Sequence, residues 1–106
     1  MARTFNGSNQ GMRSTSMVTV TKPFTMSCWA NSSSATANQM AFSVGDAAGS
    51  HYYGIEFRGG DSGDPVRAKE YDGGTTIVGT QGYSTGVWHH IVAVFVAADD
   101  RQCYMD

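Results

Sequence analysis

The sequence is poor in charge and in basic clusters, and it has no long apolar run. Charged side chains make up 15% of the 106 residues, and the net charge is −2. The seven lysines and arginines are scattered along the chain, which gives no support to nucleic-acid binding. No apolar run approaches the roughly 20 residues that cross a bilayer, so membrane insertion is not expected. The opening residues lack the apolar region of a secretory signal, which predicts synthesis without export by that route.

Cysteine is scarce as well, with Cys28 and Cys103 as the only two. They have no CxxC spacing, so a zinc site is not expected. We interpret them as buried, reduced thiols that act as small apolar side chains, although the sequence leaves a disulfide between them open.

Glycine, β-branched residues and short alternating segments are what the chain does contain. In FTMSCWA (24–30), for example, Phe24, Met26 and Cys28 share one face of an extended strand. The absence of helical periodicity predicts a β-sandwich or barrel. Strands are predicted at 16–21, 24–30, 39–45, 51–58, 66–71, 75–80, 87–96 and 101–106, with a hairpin turn at 72–74.

Three stretches resemble one family, in the order expected for it. KPFTMSCWAN (22–31) resembles the "pFTisaWv" strand of laminin-G-like, concanavalin A-like lectin–glucanase domains, and GVWHHIVAVFVAADDRQCYMD (86–106) resembles their "WhHva" hairpin. ARTFNGSNQGMRS (2–14) is similar to their first strand. The resemblance implies an all-β fold, an antiparallel jelly-roll sandwich, with 1–106 as a single domain. Because the family hairpin is followed by further strands, we expect this sandwich to be completed by further sequence or by another chain.

The stretch GGDSGDP (59–65) resembles the GDSGGP motif around the nucleophile of chymotrypsin-like proteases. That chemistry needs a histidine base and an aspartate to orient it. The one upstream histidine, His51, lies in a strand-like context only eleven residues before Ser62. Glycine, aspartate, serine and proline are also common turn formers, so a polar loop is the better interpretation.

Other catalytic and metal-binding arrangements are equally weak. Adjacent strand residues point to opposite faces, so His89 and His90 cannot easily share a metal. Glycosidases need two carboxylates close together, and Asp72, which could share a face with Glu70, is better explained by its turn. The protein is therefore not expected to be an enzyme.

Two kinds of binding residue remain as candidates. The aromatic residues Trp29, Tyr52, Tyr53, Tyr71, Tyr83 and Tyr104 could supply a sugar-stacking platform. Of these, Tyr52, Tyr71 and Tyr83 lie near turns and are predicted to bind ligand. Carboxylates in turns are suitable ligands for calcium, which is the one cofactor that the sequence suggests. The candidate metal ligands are Asp61, Asp64, Asp99 and Asp100.

The resemblance implies a non-catalytic surface module. We expect a virion-associated structural, decoration or fibre component with a carbohydrate-recognition fold, because related domains occur on tailed-phage particles. The alternative is a lectin-like adhesion domain of a larger surface protein or enzyme. The expected location is a virion surface or the extracellular space, and the expected partners are a glycan or cell-surface ligand and other protein chains, including copies of this one.

Overall fold

The computed structural model describes residues 2–6, 10–14, 20–46, 50–72 and 77–106, and these contain strands and loops only. None of the described segments is a helix that could span a membrane. The seven strands are β1 (Phe24–Ala30), β2 (Asn38–Gly45), β3 (Tyr52–Arg58), β4 (Pro65–Tyr71), β5 (Ile77–Gly82), β6 (His89–Phe95) and β7 (Arg101–Met105).

The strands form two antiparallel sheets. One has three strands in the order β1-β6-β7, and the other has four in the order β2-β3-β4-β5. The four-stranded sheet is a meander of sequence neighbours, whereas β1 pairs with β6, with Phe24 opposite Phe95 and Ala30 opposite His89. The predicted all-β antiparallel sandwich is thus confirmed.

The core lies between the inward faces of the two sheets. In β6 the alternation is strict, with Ile91, Ala93 and Phe95 fully buried. The facing positions of the other sheet include Ile55 and Val66, which are also fully buried. In β1, β6 and β7 burial alternates along the strand, so every second side chain points inward, as the alternation in the sequence predicts.

A charged cluster lies at one end of the sandwich and an aromatic contact at the other. At one end Glu70 of β4 accepts hydrogen bonds from Arg101 of β7 and from Lys22, which precedes β1. At the other end the buried ring of Tyr83 packs against Phe57 with centroids 4.7 Å apart. The first contact ties one sheet to the other through charged groups, and the second extends the apolar core.

Two predictions for the N-terminal region have different outcomes. A first strand within 2–14 was wrong for the described residues of that stretch, because 2–6 and 10–14 have no strand structure. The strand predicted at 16–21 falls mostly outside the described residues, as do Gly73 and Gly74 of the hairpin turn. Residues 2–6 and 10–14 are exposed, irregular chain.

Candidate functional site

Two tyrosines stack on the outer surface of the four-stranded sheet. Tyr52 of β3 lies directly opposite Tyr71 of β4, and their rings are nearly parallel with centroids 5.2 Å apart. The ammonium of Lys69 lies 5.5 Å from the Tyr52 centroid and 5.8 Å from the Tyr71 centroid. A cation so close to an aromatic face is favourable and restrains the pair. We call this outer surface, with Tyr52, Glu56, Arg58, Arg67, Lys69 and Tyr71, the tyrosine face.

The centre of the tyrosine face is a chain of ion pairs. Glu56 accepts a hydrogen bond from Lys69 at 3.0 Å, and Arg58 lies 3.9 Å from the other Glu56 oxygen. Arg58 also contacts Asp61 at 3.2 Å, and Arg67 pairs with Asp61 from the neighbouring strand. Glu56 and Arg67 are cross-strand partners, so the ion pairs of Glu56 and those of Asp61 lie side by side on the sheet. The face carries three cations, which are paired with two carboxylates, Glu56 on the face itself and Asp61 in the adjoining turn.

These contacts hold the charged groups in their ionised forms. The hydrogen bond from Arg58 is the main reason why the pKa of Asp61 lies below its usual range, and the charges of Arg58 and Arg67 add to it. Hydrogen bonding to Tyr52, followed by the bond to Glu56, raises the pKa of Lys69. Fixed charges beside exposed rings can orient the polar groups of a ligand.

Tyr83, the third predicted ligand-binding tyrosine, lies elsewhere. It is only 5% exposed, and its hydroxyl donates a hydrogen bond to the carbonyl of Ser34 at 2.6 Å. Its ring meets Phe57, which points inward, so it cannot join Tyr52 and Tyr71 on the outer surface. The three tyrosines therefore do not form one platform, because burial against the core fixes Tyr83 on the opposite side of the sheet.

The four candidate calcium ligands do not meet either. Asp61 and Asp64 lie in the turn between β3 and β4, whereas Asp99 and Asp100 lie in the turn before β7. Glu70, at the far end of β4 from the first turn, contacts Arg101, which directly follows the second. The two aspartate pairs therefore lie at opposite ends of the sandwich. Within the described residues no three acidic, histidine or cysteine side chains are grouped as a metal site.

Comparison with known proteins decides the family. A family model described as the concanavalin A-like lectin/glucanases superfamily matches residues 6–106. The chain belongs to this superfamily. Comparisons with curated proteins and with solved structures gave no match. The predicted resemblance is thus confirmed over nearly the whole chain, and the fold is the one on which carbohydrate-binding modules of this superfamily are built.

Glucanases share this superfamily name, so the carboxylates of the domain matter. Glu56 lies on the outer side of the sheet beside Lys69 and is only 8% exposed, whereas Glu70 points into the sandwich and binds Lys22 and Arg101. Glu70 lies opposite Tyr53, three positions from Glu56 in the register, and this odd separation puts the two glutamates on opposite sides of one sheet. They are not the adjacent pair that glycoside hydrolysis requires.

The histidines of this concanavalin A-like domain make contacts with residues other than Ser62. Ser62 lies in the turn after β3, and His51 directly precedes β3, which puts roughly 20 Å of strand between them. His89 and His90 belong to the other sheet, where His89 accepts a hydrogen bond from the Ser84 amide at 3.3 Å and the His90 ring stacks on Trp29. The contacts of His89 and His90 are thus with Ser84 and Trp29, and His51 lies at the opposite end of β3 from Ser62.

Cys28 and Cys103 are free, half-buried thiols on β1 and β7. Burial raises the pKa of Cys28 and raises the pKa of Cys103 to about 11. Both therefore stay protonated at neutral pH and are poor nucleophiles and metal ligands. The structure has the two thiols unpaired and half-buried, and the interpretation of reduced thiols that act as small apolar side chains stays a prediction.

Sequence reasoning missed the charged half of the tyrosine face. Lys69, Arg58 and Arg67 looked like isolated cations, because they are separated along the chain from the carboxylates they meet. One signal was present: Glu56, Arg58, Arg67 and Lys69 alternate with apolar residues along 51–58 and 66–71. This alternation places charges on one face of each strand, and pairing the two strands would have brought them together.

Proposed function

We propose that this domain is a non-catalytic recognition module that binds glycans on its tyrosine face, as part of a surface assembly such as a virion decoration or fibre protein. The observation that carries the proposal is the stacked pair of Tyr52 and Tyr71 with Lys69 beside both rings. Tyr71 is 50% exposed and offers a flat apolar surface with a hydroxyl at its edge. Sugars present complementary surfaces, apolar C–H faces bordered by hydroxyl groups.

The charge of the tyrosine face indicates which class of glycan it would bind. Its three cations outnumber its two carboxylates, so the face favours a glycan that carries a carboxylate or sulfate. The absence of catalysis is supported by the ion pairs, because Glu56 and Asp61 are each already bound to cations. A free acid and a free base are what hydrolysis of a glycoside would need.

Binding of the purified chain to an array of acidic and neutral oligosaccharides tests this proposal. We expect saturable binding to acidic glycans that weakens as salt is raised, because surface charge interactions are screened. Tyr71→Ala and Lys69→Met should each lower affinity at least fivefold, whereas Met12→Ala, which removes an exposed apolar side chain outside the sheets, should not. Unchanged binding by Tyr71→Ala would contradict the proposal.

The assembly part of the proposal rests on the sheet edges. In the described part of the chain, β2 pairs on one side only, with β3, and it exposes Met40 and Phe42. The β2–β3 register shifts between Met40 and Phe42, but the eight-residue edge still offers unpaired backbone groups to another chain. Sedimentation velocity should therefore show association that grows with concentration, and Ser43→Lys, a charge placed on this exposed edge, should reduce it. A concentration-independent sedimentation coefficient for the unchanged chain would argue against self-assembly.

The alternative role is that of a lectin-like adhesion domain in a larger surface protein or enzyme. It shares the glycan-binding face but does not need self-association. A chain that binds glycan and stays monomeric at all concentrations would favour it.

Calcium remains a prediction for Asp99 and Asp100 or for Asp61 and Asp64 as separate pairs, and glycan binding in the presence of a chelator would show whether the ion is required.

A further inference from the structure

The outer surface of the three-stranded sheet exposes two large aromatic rings. Trp29 of β1 is 63% exposed, and Tyr104 of β7 is 55% exposed. Between them lies β6, whose outward side chains include His90 and Val92, both half-buried. We call this surface the tryptophan face. Its outward positions on the three strands are Thr25, Ser27, Trp29, His90, Val92, Val94, Gln102 and Tyr104.

Both rings are held in place before any ligand arrives. The indole of Trp29 stacks on its cross-strand partner His90, with centroids 5.2 Å apart and planes 27° from parallel. The hydroxyl of Tyr104 donates a hydrogen bond to the side-chain oxygen of Gln102, two residues earlier on the same face. Aromatic side chains fixed on strands lose little conformational freedom on binding, which favours affinity.

The tryptophan face differs in charge from the tyrosine face. None of its eight outward residues is a lysine, arginine, aspartate or glutamate. At the end of β7 the carboxylate of Asp106 accepts a hydrogen bond from the backbone amide of His90 at 3.0 Å. The uncharged polar groups near the rings include the hydroxyl and amide groups of Thr25, Ser27 and Gln102. These can exchange hydrogen bonds with a ligand's hydroxyls and have no charge to match a carboxylate or sulfate.

We infer that the tryptophan face is a second binding site, which takes uncharged oligosaccharides. The strand register gives the distance between the two aromatic rings of the site, and so the length of the ligand. Trp29 lies opposite His90 and Tyr104 opposite Val92, so the two aromatic positions are two strands and two residues apart. Strand spacing then separates their Cα atoms by about 12 Å, more than one sugar ring covers. The ligand is therefore an oligosaccharide long enough to contact both rings.

The size of the face favours a small ligand over a second copy of the chain. Three strands spaced about 4.8 Å apart, with five to seven residues at about 3.4 Å each, outline about 300 Å². A stable protein interface buries about 800 Å² on each partner, well above that outline. The free edge of β2 proposed above for self-association belongs to the other sheet, so the two surfaces are separate.

Intrinsic fluorescence tests the inference, because the two tryptophans of the chain, Trp29 and Trp88, are both exposed. The probes are neutral gluco-, manno- and galacto-configured hexaoses and the matching monosaccharides. We expect at least one hexaose to shift the emission to shorter wavelength with saturation, and its monosaccharide to bind at least tenfold more weakly.

Variants separate this site from the tyrosine face. Trp29→Ala and Tyr104→Ala, followed by calorimetry, should each lower hexaose affinity at least fivefold, while Tyr71→Ala and Met12→Ala should leave it unchanged. Unaltered melting temperatures would show that the variants are folded. Failure of every neutral hexaose to bind, equal binding by Trp29→Ala, or loss of self-association in Trp29→Ala without any sugar binding would each overturn the inference. Because Tyr71→Ala reports on the tyrosine face alone, either site can fail without the other.

Discussion

A single residue type has different roles here according to its neighbours. Tyr71 stacks on Tyr52 and stays half exposed, whereas Tyr83 is 5% exposed and holds the loop before β2 through Ser34. Both lie close to turns in the sequence, and that common feature suggested one role for both. The two tyrosines differ in exposure because their ring partners lie on different sides of the sheet. Phe57, the partner of Tyr83, lies on the inner side, and Tyr52, the partner of Tyr71, lies on the outer side.

This contrast gives a prediction for stability at the residue scale. Tyr83→Ala should lower the free energy of unfolding by about 3–5 kcal/mol, as expected for removing a buried aromatic ring. Tyr83→Phe, which removes only the bond to Ser34, should cost about 1 kcal/mol. Tyr71→Ala should cost less than about 1.5 kcal/mol, the range of an aromatic pair. Urea unfolding measures all three, and equal losses for the two alanine variants would contradict the assignment.

At the scale of elements, the turn between β3 and β4 shows how backbone conformation selects residues. Gly63 has φ of +83° and Asp64 has φ of +47°, two consecutive residues in the left-handed region. Side chains with a Cβ rarely adopt this region, and glycine and aspartate tolerate it best. The carbonyl of Asp64 also accepts a hydrogen bond from the amide of Tyr83, and this bond joins the turn to the end of β5.

Substitutions in this turn should therefore act through conformation alone. A Cβ at Gly63 would meet no atom within 4 Å, so Gly63→Val should cost about 1–2 kcal/mol from the backbone angle and not from a clash. Asp64→Gly should change the free energy of unfolding by less than about 1 kcal/mol, since relief of the angle offsets the added freedom of the unfolded chain. Ser62→Ala, at an exposed position, is the control. A neutral Gly63→Val in chemical denaturation would show that the turn has another conformation in solution.

The strands were largely predictable from sequence, and the contacts across them were not. FTMSCWA alternates strictly after Pro23, so the bounds of β1 follow from the pattern. The stacking of Tyr52 on Tyr71 follows only once β3 and β4 are paired in register. Tyr83 and Ser34 are 49 residues apart, and no local sequence pattern predicts their contact. Periodicity indicates which face a side chain occupies, whereas its partner depends on the fold as a whole.

At the scale of the whole molecule, a buried charge cluster joins the two sheets. The Arg101 side chain is almost fully buried, and both of its contacts with Glu70 cross from β7 to β4. Lys22 reaches the same carboxylate with both oxygens at 2.8 Å. Burial by itself would raise the pKa of Glu70, but the hydrogen bonds from Lys22 and Arg101, with their charges, lower it below its usual range.

The cluster should make the sandwich sensitive to acid. Because the pKa of Glu70 is lower in the folded chain, its ionised form stabilises the fold at neutral pH, and this contribution is lost as pH falls from about 4.5 through the folded pKa. Glu70→Gln leaves two cations without a counter-charge and should cost about 3–5 kcal/mol at pH 7.

The difference between the unchanged chain and Glu70→Gln should then shrink as pH falls below 4.5, the ordinary pKa of a glutamate. Urea midpoints from pH 7 to pH 3 measure it. Asp72→Asn is the control, because Asp72 is exposed and neighbours the cluster indirectly: it lies 3.9 Å from His51, whose ring lies 3.6 Å from Glu70. It should cost less than about 1 kcal/mol. A Glu70→Gln loss that stays constant down to pH 3 would mean that the side chain stabilises the sheets by its shape and hydrogen bonds, and not by its charge.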